Sequence, residues 1–277
     1  MEIIAELGIN HNGDLKLAKQ MIDVAASAGC QYVKFQKRDI DLVYSKEELR
    51  KPRMSPWGET TREQKEGLEF TRYEYDEIDM YCLEKGIGWF ASPWDANSLE
   101  ILIRDYGPPF IKIPSARMSN EEFLEDCASY VEFTDNIKFI LSTGMCNEQM
   151  IDDAIHILGM DNIYCIMQCT STYPTAPNEI NAIYITKLKE KYPWAKIGFS
   201  NHYPGLMAMV LAAAYGAEMI EFHLTMDRTL WGSDQSSSIE PKGLFELMER
   251  LRLIEQMKGD GIKRICKSEI PIMEKLR

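Results

Sequence analysis

The sequence predicts a closed (β/α)8 TIM barrel of the α/β class, and two observations carry that prediction. Short β-rich runs alternate with longer helical patterns along the whole chain, and eight such units can be counted, the number that closes a parallel sheet on itself. No G-x-G-x-x-G follows the first run, which argues against the structural runner-up, a doubly wound open sheet.

The first run, Ile3–Glu6, ends in a carboxylate and leads into a helix whose apolar positions Ala18, Met21, Ile22 and Ala25 keep helical spacing before Gly29 stops it. The second, Tyr32–Gln36, is followed by residues 37 to about 71, rich in charge and broken by Pro52, Pro56 and Gly58. A connection of that length is expected to be a lid or a subunit contact, with a solvated insertion as the alternative. Gly88–Ser92, Phe110–Pro114, Lys138–Ser142, Ile163–Thr170, Ile197–Ser200 and Met219–Thr225 supply the remaining strands. Leu244, Leu247, Met248, Leu251 and Ile254 line one face of the last helix. The chain is read as one domain over residues 1–277, in which residues 258–277 form a basic tail wrapping the barrel.

Apolar residues make up 45% and charged residues 27% of the 277, without a low-complexity tract, so a sizeable core is expected. With 43 acidic against 31 basic residues the net charge is -12, which repels nucleic acid and anionic membranes, so an anionic ligand must meet a locally positive pocket. Seven cysteines without a CxxC pair fit reduced thiols and a cytoplasmic protein. The Met1-Glu2-Ile3-Ile4 start is no signal peptide, and the longest apolar segment, Leu206 to Tyr215, is too short to span a membrane.

In this fold the strand ends host the active site. There the sequence places Glu6, Asn10 and His11; Lys34 and Gln36; Ser92; Lys112 and Ser115; Ser142 and Thr143; Thr170, Ser171 and Tyr173; Ser200, Asn201 and His202; and His223. Two lysines in strand interiors need partners, because an unpaired ammonium is costly to desolvate. A phosphate or carboxylate ligand meets that need; so would core carboxylates such as Glu6 or Glu221. Of only four histidines, His202 and His223 close consecutive strands, and the two-residue strand period puts Glu221, His223 and Thr225 on one face. Two neutral imidazoles with water and substrate oxygens suit an exchangeable divalent ion, Mn²⁺ foremost, with Mg²⁺, Co²⁺ or Zn²⁺ as the others. Glu6 suits a general base, a group that orients a substrate hydroxyl, or a counterion to Lys34. Gly144, after Leu141-Ser142-Thr143, has the look of a small phosphate cradle at a helix start, and His156, inside an amphipathic helix, is read as structural or surface.

The motifs AELGINHNG (5 to 13), VKFQ (33 to 36), ASPWD (91 to 95), IKIPS (111 to 115), ILSTGM (140 to 145), QCTSTYP (168 to 174), IGFSNH (197 to 202), and EFHLTMDR with GSDQ (221 to 235) follow one another along nearly the whole chain. This ordered set resembles the catalytic barrel of the sialic acid (N-acetylneuraminate) synthases, whose motifs the pseudaminic and legionaminic acid synthases share. The resemblance implies condensation of phosphoenolpyruvate with an open-chain amino-sugar aldehyde, N-acetylmannosamine or a relative, to a nine-carbon 2-keto-3-deoxy acid and phosphate. It places the metal on His202 and His223, phosphoenolpyruvate on Lys34, Ser92, Lys112, Ser115, Ser142 and Ser200, and the sugar on Tyr173 and Asp234, with Glu6 matching the family's active-site glutamate. Gln36 and Ser171 join the substrate-binding set, and a homodimer is implied.

Three departures stand out. Arg117 occupies a position where many members carry a carboxylate, Ser171 replaces a family asparagine, and the sequence stops at Arg277, where typical synthases continue into an antifreeze-like domain that lends an arginine to the sugar site. The expectation is that Arg53, Arg62 or Arg72 takes over that contact. The competing readings are a catalytically silent barrel that binds sugars or phosphates, and a metal-dependent aldolase or lyase.

Overall fold

In a computed structural model, which describes residues 1–131, 134 and 137–277, eight parallel strands close into a barrel. They are β1 (Glu2–Gly8), β2 (Tyr32–Lys37), β3 (Gly88–Pro93), β4 (Phe110–Ile113), β5 (Lys138–Ser142), β6 (Ile163–Cys169), β7 (Lys196–Asn201) and β8 (Met219–His223). Each strand pairs with its successor, and β8 pairs with β1 to close the ring. The main helices are α1 (Leu15–Ala28), α2 (Arg72–Lys85), α3 (Ala96–Ile101), α4 (Glu121–Val131), α5 (Glu148–Leu158), α6 (Tyr184–Lys191), α7 (Met207–Ala214) and α8 (Pro241–Lys258). The α1 helix shows how the sequence sets such an element: the Asp14 side chain accepts from the N–H groups of Lys16 and Leu17, and Gly29, at φ 88°, ends it in the left-handed conformation.

The expected strands and helices are all present, with strand ends moved by one or two residues. Among these shifts, β8 stops at His223, so Thr225 lies in the following loop, where its hydroxyl donates to Gln235.

Outward-facing strand residues such as Ala5, Val33, Phe35, Ile111, Phe139, Leu141 and Phe222 pack against the helices in the larger core. Inward-facing residues form layers. Ile4, Phe90, Phe110, Ile140, Met167 and Met219, with Tyr32 against them, make an apolar floor inside the barrel. Two residues further along those strands stand Glu6, Ser92, Lys112, Ser142, Cys169, Glu221 and Lys34. One strand period therefore converts an apolar floor into a polar layer above it. On β7 the corresponding pair is Gly198 and Ser200. A Cβ on Gly198 would come within 2.9 Å of both Cys165 Sγ and Met219 O, so the floor has no room for a side chain there.

The connection after β2 is a structured insertion rather than an irregular loop. It holds short helices at Ile40–Val43 and Lys46–Arg50, an antiparallel hairpin of Pro52–Ser55 with Gly58–Thr60, and a helix at Thr61–Glu66. It docks on the loop after β1: Gly13 approaches Gly67 so closely that a Cβ would lie 2.0 Å from Gly67 O, and His11 stacks on Phe70 with centroids 4.1 Å apart. Trp57 meets Trp231 edge to face at 5.0 Å, joining the hairpin to the loop after β8. The segment after Gly259, expected to wrap the barrel, instead has nearly every residue exposed, including its helix Ile270–Leu276. Among the described residues no helix is long and apolar enough to cross a membrane.

Two expected outcomes follow. Gly198→Ala overpacks the floor and lowers unfolding free energy by about 1–3 kcal/mol in denaturant titrations, and an unchanged midpoint would show that the floor has slack. Burial pushes the His11 imidazole down to about 3, the Gly8 carbonyl opposing and Arg38 adding to the shift. The fold thus keeps His11 neutral while the unfolded chain takes up a proton near 6.5. Stability present above that value is lost progressively as pH falls toward about 3, by on the order of a few kcal/mol. His11→Phe keeps a ring on Phe70 and flattens this slope; melting curves from pH 7 to 4, as working conditions, that decline equally in both proteins would refute it.

Candidate active site

At the C-terminal mouth of the barrel the polar layer lines a cavity of about 170 Å³. Its wall contains Glu6, Lys34, Gln36, Ser92, Lys112, Ser115, Ser142, Ser171, Tyr173, Ser200, His202 and His223, twelve of the thirteen residues expected to bind metal or substrate or to act in catalysis. The thirteenth, Asp234, stands behind the wall with its Oδ2 3.6 Å from His223 Nδ1.

Four buried charges organise the base of the cavity. Lys34 Nζ contacts Glu6 Oε2 and lies 3.9 Å from Glu221 Oε1, and Lys112 Nζ donates to that same Glu221 oxygen at 2.5 Å. Ser200 donates to Glu221 Oε1 at 3.0 Å, while Glu221 Oε2 is buried without a hydrogen-bond partner. Burial alone would raise Glu221, but the Lys112 and Lys34 ammonium groups hold it below the usual carboxylate range. Burial works against the Lys34 ammonium and lowers it to about 7, Glu221 opposing and Lys112 adding to the shift. The lysines therefore bridge core carboxylates, and they do so in the wall of a cavity.

The two imidazoles face each other with ring centroids 5.4 Å apart. His202 Nδ1 lies 2.7 Å from Thr170 O, which assigns the proton to that nitrogen and leaves Nε2, 2.9 Å from the Tyr173 hydroxyl, as an acceptor. Burial disfavours the His202 imidazolium, but Cys169 and the Thr170 carbonyl outweigh it and raise the pKa. His223 is pushed down by burial to about 4, with Asp234 opposing; its Nδ1 is buried and has no hydrogen-bond partner. A neutral, unpartnered imidazole beside one oriented by a carbonyl is what a divalent cation requires. Among the described residues no three His, Cys, Asp or Glu side chains gather closely enough to hold an ion alone. The fit is therefore to an ion held by two histidines and completed by water and substrate oxygens.

Gly144 is not at a helix start, since α5 begins at Glu148 with Asn147 capping it. Its role is spatial: a Cβ there would lie 2.1 Å from Ser171 Oγ and 2.8 Å from Ser115 Oγ, so the glycine lets both hydroxyls reach the wall. Several polar candidates turn elsewhere. Asn10 donates to Leu224 O and Ser238 Oγ, Thr143 to Met167 O, Thr170 to Glu179 O, and Asn201 to Tyr203 O. His156 is exposed on α5, as expected. Arg62 pairs with Asp41 and Glu66, Arg72 with Asp105, and Arg53 is exposed; none lines the cavity, so they offer it no substitute arginine. Arg117 also points away, donating to Trp94 O and lying over Phe123.

The sequence reading passed over Trp94, Met145 and Cys169 as wall residues. Cys169 had a usable signal, since it stands two residues beyond the floor residue Met167. Its Sγ is 3.8 Å from Ser115 Oγ, Ser171 Oγ and His202 Nδ1; burial works to raise the thiol, but His202 and Lys112 bring it down to about 7.

The NeuB family model matches residues 21–263. The chain belongs to the NeuB family. Its relatives include N-acetylneuraminate-9-phosphate synthase of Homo sapiens, 36% identical over 277 residues that cover 99% of this chain and 76% of the relative. N,N'-diacetyllegionaminic acid synthase of Campylobacter jejuni is 34% identical over 274 residues, covering 96% of this chain and 80% of the relative. Among solved structures, the sialic acid synthetase of Leptospira borgpetersenii, determined in complex with citrate, superposes with a TM-score of 0.84 at 33% identity, covering 99% of this chain and 90% of that one. Family members named here are synthases, and this chain is an enzyme of that kind.

Gly144→Ala is expected to displace the Ser115 and Ser171 hydroxyls while leaving the barrel folded. Calorimetric affinity for phosphoenolpyruvate should fall about tenfold, the equivalent of one hydrogen bond; unaltered affinity would exclude the Ser115 hydroxyl from binding it.

Proposed function

We propose that the protein condenses phosphoenolpyruvate with an open-chain amino-sugar aldehyde, forming a nine-carbon 2-keto-3-deoxy acid and inorganic phosphate. The observation that carries this reading is the convergence on one cavity of Lys34 from β2, Lys112 from β4, His223 from β8 and His202 from one residue past the end of β7. The names of the relatives, synthases of N-acetylneuraminate 9-phosphate and of diacetyllegionaminic acid, support the substrate class.

Charge counting supports a metal. Two ammonium groups and the two carboxylates Glu6 and Glu221 cancel, so a multiply charged anion entering this cavity needs further positive charge. His202 and His223 would hold a divalent ion, which when bound supplies that charge and polarises the aldehyde oxygen.

The chain's own groups then bind and steer. Lys34 and Lys112 bind the phosphate and carboxylate of phosphoenolpyruvate, with Ser92, Ser115, Ser142 and Ser200 donating to the remaining oxygens; an incoming dianion raises Lys34 back into its charged form. Tyr173, Gln36 and Ser171 orient the sugar so that C3 of the enol faces the aldehyde carbon, and Asp234, behind the wall, positions the His223 ring. The new C–C bond forms from the enol π electrons, and the aldehyde oxygen takes up a proton. Water adds at C2 and gives its proton to Glu6, whose Oε1 is oriented by Gln36 Nε2 at 3.2 Å. The C2–O bond then breaks, phosphate leaves with that electron pair beside the two lysines, and the C2 hydroxyl loses its proton to give the ketone.

Mixing the protein with Mn²⁺, phosphoenolpyruvate and a panel of aldoses, and measuring phosphate and 2-keto acid together, tests the reading. Stoichiometric release of both is expected with an amino sugar. Keto acid without phosphate would indicate an aldolase, and neither product despite phosphoenolpyruvate binding would indicate a silent barrel. His202→Ala and His223→Ala should each reduce metal-dependent phosphate release about a hundredfold or more and weaken Mn²⁺ binding measured directly.

A further inference from the structure

Trp94 lines the cavity and carries an indole N–H that is buried without an acceptor, yet nothing in the proposed chemistry uses it. A buried donor normally has a partner, so an unpartnered one in a cavity wall points at a ligand acceptor. The residue is held from several directions. Its backbone N–H donates to Lys37 O at 3.0 Å, its carbonyl accepts from Arg117 Nη2, and the Arg38 guanidinium lies over its ring, 5.3 Å from the centroid. Arg38 is itself buried, paired with Glu69 at 3.4 Å, and donates to Gln36 Oε1. That last contact leaves the Gln36 amide nitrogen to face Glu6.

Height in the barrel indicates which substrate Trp94 meets. Lys34 and Lys112 stand level with Ser92 in the polar layer, whereas Trp94 lies two residues beyond Ser92, and the other wall residues beyond that layer include Ala116 and Met145. The anion is drawn down to the lysines, and the upper part of the wall, which Trp94 shares with Gln36, Tyr173 and the two histidines, is left for the second substrate.

Building on the function proposed above, we infer that Trp94 is a specificity-determining residue for the polyhydroxy aldehyde: its indole N–H donates to an oxygen of that substrate. Arg38 is a positioning residue, acting through the Trp94 ring and the Gln36 amide.

Trp94→Phe keeps a ring against Arg38 and deletes only the donor. With the best aldose of the panel, KM for the aldose should rise about five- to tenfold while KM for phosphoenolpyruvate stays within about twofold, a split expected from losing one hydrogen bond. Trp94→His, which restores a ring N–H, should recover part of the loss. Arg38→Met should raise the same KM and add little on top of Trp94→Phe, since both act on one group. The unreactive alditol of that sugar, titrated by calorimetry with phosphoenolpyruvate present, should lose affinity in the same order without any turnover. An unchanged aldose KM and alditol affinity in Trp94→Phe, or an equal rise in both KM values, overturns the inference. Wild-type protein that turns over no aldose and binds no alditol overturns the functional reading first, and this inference with it.

Discussion

Neutralisation of two ammonium groups inside a barrel is the constraint on which the site depends. Lys112 on β4 and Glu221 on β8 belong to strands four places apart in a ring of eight, so their contact at 2.5 Å crosses the barrel axis. Lys34 and Glu6 make the second contact between adjacent strands β2 and β1. Buried ion pairs contribute little net stability once desolvation is counted, and an apolar layer in the same place would hold the barrel as well or better. Their value is in poise: charges that compensate one another remain desolvated and ready to exchange partners when an anion arrives.

The apolar floor makes that arrangement possible. Phe90, Phe110, Ile140, Met167 and Met219 fill the barrel below the charges, closing it to water from beneath and fixing the height at which the next inward residues stand. Because each strand alternates with the same period, a floor side chain and a site side chain are separated by one intervening residue that faces the helices. The chemistry is therefore aligned by strand register. A one-residue slip in β4 would send Lys112 toward the helices and bring a branched aliphatic residue, Ile111 or Ile113, into the cavity.

Much of the site was legible for that reason. Polar residues at the ends of apolar strand runs are conspicuous, and the i+2 relation places Glu6, Lys34, Ser92, Lys112, Ser142 and Ser200 without any knowledge of contacts. Residues beyond the strands were harder to place. Thr143, Thr170 and Asn201 look equivalent to Ser142, Ser171 and Ser200 in the sequence, yet each spends its hydrogen bonds on backbone carbonyls. Asn10 and His11 read as part of the polar strand-end cluster beside Glu6, whereas Asn10 ties the first loop to the last and His11 packs on Phe70. Cys169 and Trp94 escaped notice because a thiol among apolar residues and a tryptophan after proline resemble core.

By itself the sequence determined the eight-unit barrel, the alternation that carries polar groups to one end, and the family to which the chain belongs, since all three are written in local periodicity and ordered short motifs. The tertiary structure decided which carboxylate faces which ammonium, which imidazole nitrogen is left without a partner, where the insertion after β2 docks, and that Arg117 serves Trp94 rather than the cavity. Those outcomes depend on how strands distant in sequence are brought side by side around the ring. A side chain's partner across eight strands is set by the closure of the sheet, which no stretch of neighbouring residues encodes.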